Sequence, residues 1–181
     1  MNLQFITSDI NAVRRVLANG CRWVVYEPKD PEAVSLASEA VRLCRESEAV
    51  LIIKDDAALC ETVKADGVLL SSPDAVGATR RQLGEEPLIG ALCADLDSVK
   101  KSRAGGADYI DAGSFEHFTP EELRQLVLAL YEADIPLPIC IGGAVSVDDI
   151  PTISATGVRA IVTCNEAFFT RDIWRVIDKL S

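Results

Sequence analysis

A chain of 181 residues with 49% hydrophobic content can bury one substantial core, so a single domain over residues 1–181 is expected. The formal charge of −10 argues against a nucleic-acid backbone or an anionic membrane surface as the main partner. No apolar run approaches the ~20 residues of a membrane helix, and MNLQFITSD lacks the basic start and long apolar stretch of a secretory signal, so a cytoplasmic protein is expected.

In chain order, the strand-forming runs are LQFIT (3–7), RWVVYE (22–27), VLIIK (50–54), GVLLS (67–71), PLIGALC (87–93), DYIDAG (108–113), LPICIG (137–142) and AIVTC (160–164). Amphipathic stretches alternate with them, among them PEAVSLASEAVRLCRES (31–47) and PEELRQLVLALYEAD (120–134). In the second, Leu123, Leu126, Val127 and Leu130 recur at i, i+3, i+4 and i+7 and mark one apolar face. Ser8 or Asp9, Asp56, Asp95 and Thr119 stand where N-caps belong, and Pro31, Pro73 and Pro120 where first-turn prolines belong. Gly20, Gly84 and Gly157 fall just past helical runs.

Eight strand–helix units in 181 residues give roughly 23 residues each, compact beside the ~250 of a typical (β/α)8 barrel. Regular spacing without a switch point favours a closed α/β barrel over a doubly wound open sheet. In a barrel, ligands bind where strands end. That places 7–9, 27–30, 54–56, 71–74, 93–95, 113–119, 142–146 and 164–166 on one face.

The six cysteines, Cys21, Cys44, Cys60, Cys93, Cys140 and Cys164, form no C-x-x-C pair and read as buried free thiols in a reducing compartment. With one histidine and no ligand spacing, a zinc site is not expected. Trp23 reads as a core or helix-facing strand residue. Phe168, Phe169 and Trp174 read as core, with an apolar contact in a homo-oligomer as the alternative.

The stretches GCRWVVYEPKD, IIKDD, KADGVLLSSPD, GGADYIDAG and PICIGGAVSVDDI resemble, in order and spacing, the thiamine phosphate synthase family and the related thiazole tautomerases. The resemblance implies a compact single-domain TIM barrel that joins an aminopyrimidine diphosphate to a thiazole phosphate with magnesium. It assigns Asp55 and Asp74, 19 residues apart, to the metal, and Lys29 to catalysis on the phosphate side. Lys54, at the strand-three end, joins the substrate-binding residues. It assigns the Gly142-Gly143 turn, with Thr163 on strand eight, to a phosphate. His117 lies near the loop histidine that serves tautomerases as acid–base group.

The departures from the family pattern cluster on the same face. Val25 and Glu27 stand where the family has glutamine and arginine, Lys54 where it has asparagine, Leu69 for a histidine and Leu92 for a serine. GSFEHFTPEE holds no counterpart of the family's Pro-Thr-x-Thr-Lys loop. Pyrimidine recognition thereby loses most of its hydrogen-bonding groups. Glu27 and Lys54, on adjacent strands at comparable height, are expected to pair across the mouth. Three functions follow: a phosphate-binding barrel whose condensation activity is in doubt, a tautomerase-like or repurposed enzyme, and a catalytically silent barrel that binds a phosphorylated ligand or a partner.

Overall fold

A computed structural model describes residues 1–29, 33–135 and 137–178. Eight parallel strands close into a barrel in sequence order: β1 (Asn2–Thr7), β2 (Trp23–Tyr26), β3 (Val50–Lys54), β4 (Gly67–Leu70), β5 (Leu88–Leu92), β6 (Tyr109–Ser114), β7 (Ile139–Gly142) and β8 (Ala160–Thr163). Closure is made by β1 against β8, with Leu3 opposite Ile161 and Phe5 opposite Thr163. The intervening helices are α1 (Ile10–Ala18), α2 (Ala33–Glu46), α3 (Ala57–Val63), α4 (Val76–Leu83), α5 (Leu96–Gly105), α6 (Pro120–Glu132), α7 (Ile150–Ala155) and α8 (Arg171–Asp178). Strand and helix ends differ from the sequence reading by a few residues; Pro31 and Asp30 lie outside the described residues.

The strands are apolar on both faces because both are covered. β4, β7 and β8 are buried along their whole length. Val24, Leu51, Ile53, Val68 and Leu70 point toward the helices, into the larger core. Their alternating neighbours Val25, Ile52 and Leu69 point inward with Tyr109, Cys140, Ala160 and Val162, as the period of two requires. Trp23 packs on this inner cluster rather than against a helix, its ring edge-on to Tyr109 at 5.8 Å.

The helix starts follow the expected chemistry. Asp9 accepts from Asn11 N–H and Asp56 from Leu59 N–H, both at 2.8 Å. Asp95 with Ser98, and Thr119 with Glu122, form capping boxes. On α6, Leu123 and Leu130 are buried while Leu126 and Val127 lie half-buried on the core. Phe168 and Phe169 are core residues, Phe169 meeting Phe5 edge-on at 5.4 Å, so they offer no subunit contact. Among the described residues no helix is long and apolar enough to cross a membrane.

Candidate active site at the barrel mouth

Val25 stands opposite Ile52 in the β2–β3 register, so two residues further on Glu27 faces Lys54. The expected ion pair is present: Lys54 Nζ donates to Glu27 Oε1 at 3.0 Å. Lys29 closes on the other carboxylate oxygen at 2.7 Å. Hydrogen bonds from Lys29 and then Lys54 hold the Glu27 carboxyl below its usual range. These groups line a cavity of about 370 Å³ with Thr7, Ser8, Asp9, Cys164 and Glu166. Glu166 is tied by Arg15, whose Nε and Nη2 donate at 2.7 and 2.8 Å and lower its carboxyl from the usual range. The negative charge at the strand-eight end is therefore already paired.

Cys164 is exposed, unlike the other five cysteines. It follows β8 and lines the mouth instead of extending the strand, which corrects its expected burial. After β8 the chain makes a single 3-10 turn, Glu166–Phe168, with Asn165 capping Ala167 N–H. Thr163 is buried, and its Oγ1 accepts from Asn165 N–H at 3.0 Å. Gly142 ends β7. Gly143 sits at φ 87°, and a Cβ there would lie 2.1 Å from Ser114 Oγ, so the turn runs against the end of β6 and requires glycine.

The two candidate metal ligands are engaged separately. Asp55, at φ 56°, accepts from both the N–H and the hydroxyl of Ser71 at 2.6 Å. Asp74 is largely exposed and paired with Lys101. Among the described residues no three His, Cys, Asp or Glu side chains form a ready-made ligand set. Two carboxylates with spare lone pairs suit magnesium only as a minority of its ligands, the rest being phosphate oxygens and water. His117 ends an exposed 3-10 turn, Phe115–His117, after β6 and does not line the cavity. Of the expected site residues, the cavity thus brings together Lys29 and Lys54, and leaves Asp55, Asp74, Gly142, Gly143, Thr163 and His117 outside its lining.

One residue escaped the sequence reading. Asp111 is an inward position of β6, two residues beyond Tyr109, and is only 9% exposed. Burial pushes its carboxyl up to about 6, against the opposing pull of Gly113 N–H at 2.8 Å and of the Lys54 charge. The available signal was a lone acid at an inward position of an otherwise apolar strand.

A parallel eight-stranded barrel with its charged side chains gathered at the strand ends belongs to the class that takes small ligands there. A family model described as thiamine monophosphate synthase matches residues 3–167. A thiamine-phosphate synthase of Phocaeicola vulgatus is 34% identical, over 95% of this chain and 92% of that protein. One of Bacteroides fragilis is 34% identical over 89% of each. The chain belongs to the thiamine phosphate synthase family. A Pyrococcus furiosus thiamine phosphate pyrophosphorylase superposes with a TM-score of 0.84 at 22% identity, covering 99% of this chain and 96% of that one, a likeness of fold.

Proposed function

We propose that the chain binds a small phosphorylated ligand, of the phosphorylated-thiazole class, at the C-terminal strand ends without condensing it. The convergence of Lys29 and Lys54 on one carboxylate in a shared cavity carries this reading. Glu27 already occupies the place of an anion between two ammonium groups. Lys29, with 64% of its side chain exposed, is free to turn to an incoming phosphate. The glycine turn at Gly142 and Gly143 adds backbone N–H groups on the same end of the barrel. Against condensation stand the Glu27–Lys54 pair and the apolar Leu69 and Leu92, which give a pyrimidine few polar partners. Free cysteines suit a reducing compartment such as the cytoplasm.

Calorimetric titration with inorganic phosphate and with thiazole phosphate tests the binding. Lys29→Ala and Lys54→Ala should each weaken it by about tenfold or more, the worth of a charge-assisted hydrogen bond, and Glu27→Gln should tighten it. Affinity unchanged in all three variants places the anion elsewhere.

The names of the relatives and the spacing of Asp55 and Asp74 favour a second reading, magnesium-dependent condensation. Asp55 and Asp74 would hold the ion, which would neutralise charge on a diphosphate leaving group. Incubation with both substrates and magnesium distinguishes the two. Sustained formation of thiamine phosphate, abolished by Asp55→Ala, replaces the first reading with the second.

A further inference from the structure

At the opposite end of the barrel, a cavity of about 280 Å³ opens among the strand starts, walled in part by Leu88, Ile139, Cys140 and Ala160. Three of its lining residues carry buried polar atoms that no group of the described chain satisfies: Gln4 Oε1, Trp23 Nε1 and the Tyr109 hydroxyl. Gln4 is 4% exposed and Tyr109 6%. A buried polar atom without a partner costs about 1–3 kcal/mol, and most such atoms in native proteins are paired.

The two aromatic rings are held in place. The Tyr109 ring lies across Gly90, where a Cβ would come within 2.1 Å of its Cζ, and Trp23 packs edge-on against it at 87°. The indole N–H can only donate, the amide oxygen can only accept, and the phenol can do both. Of the two charged lining residues, Asp108 is committed, accepting from Arg80 at 2.6 Å and from Ile89 N–H at 2.7 Å, and Arg159 is exposed. Pro138, Ile139 and Arg159 also line an outer groove of about 540 Å³ beside Leu130 and Tyr131. A cluster of waters would meet apolar walls on several sides, whereas a cavity near the ~300 Å³ lower bound of ligand pockets suits one small molecule.

We infer that the N-terminal end of the barrel is a second binding site, for a small, uncharged, planar molecule with an apolar body and one end that both donates and accepts. Its donor meets Gln4 Oε1, and its acceptor meets Trp23 Nε1 and the Tyr109 hydroxyl. An aromatic primary amide has this pattern. The site is independent of the phosphate reading of the mouth.

Benzamide is the probe, titrated into the full chain by calorimetry and followed by fluorescence in Trp174→Phe, which leaves Trp23 as the remaining tryptophan. The expected result is saturable one-to-one binding, with toluene weaker than benzamide. Tyr109→Phe and Gln4→Leu should each bind it about tenfold more weakly, the worth of about one hydrogen bond. Both variants should melt at or above the parent's temperature, because each removes an unpaired group. Lys29→Ala with Lys54→Ala should leave the affinity unchanged. Absence of saturation, or an affinity indifferent to both Tyr109→Phe and Gln4→Leu, overturns the site and leaves the three atoms to water.

Discussion

At the C-terminal end of the barrel charge is met by charge, whereas at the N-terminal end polar atoms are left among apolar walls. Lys29 and Lys54 share the single carboxylate of Glu27 at the mouth, and Arg15 pairs with Glu166. Below, Gln4, Trp23 and Tyr109 present hydrogen-bonding atoms with no partner among the described residues. The mouth, although more exposed and more charged, is the better-satisfied end by internal pairing. The difference shows that unsatisfied chemistry, rather than the density of ionisable groups, is what distinguishes the lower cavity.

The lower end is also where the strand starts are fixed. Arg80, with a side chain only 11% exposed, donates to the carbonyls of Gly84, Pro87 and Gly106 and to Asp108. Arg80→Ala should remove all of these and cost about 2–3 kcal/mol, the upper range for hydrogen bonds to a charged group, since Asp108 is 40% exposed and is not left as a buried charge, read as a lower urea midpoint. A loss below about 1 kcal/mol would mean that the lower end is not the rigid one.

At the mouth the sharpest steric constraint is Gly143. Gly143→Ala brings a Cβ onto Ser114 at a left-handed φ and should cost about 2–3 kcal/mol, with partial recovery in the double variant with Ser114→Gly. Full stability in Gly143→Ala alone would show that the β6 and β7 ends are free to separate.

A smaller effect tests the buried acid between the two ends. Asp111 holds its proton more tightly in the folded chain, with a value of about 6 against the ordinary ~3.9. A raised acid favours folding below the unfolded value, and that contribution is lost as pH rises through about 6. Asp111→Asn keeps an acceptor for Gly113 N–H and should gain about 2 kcal/mol at neutral pH relative to pH 4. Equal differences between variant and parent at pH 4.5 and 7.5 in urea titrations would remove Asp111 from this role.

The barrel was legible because strand and helix periods alternate eight times and because Asp9, Asp56, Asp95 and Thr119 announce helix starts. The Glu27–Lys54 pair was legible too, since adjacent parallel strands carry equivalent positions at equal height. The Arg15–Glu166 bond was not, because it joins residues 151 apart that meet only when β8 closes on β1. Nor was the capture of Asp55 by Ser71, which depends on a left-handed backbone at a residue that sequence alone leaves free to extend. Cys164 misled because it closely follows the apolar run Ala160–Val162, whereas β8 stops one residue before it, at Thr163.

The link from β6 to α6 is spent almost at once on a 3-10 turn, Phe115–His117, and the Thr119 cap. So short a tether has no slack to fold over an occupant. Whatever else surrounds the mouth, this segment offers it no cover.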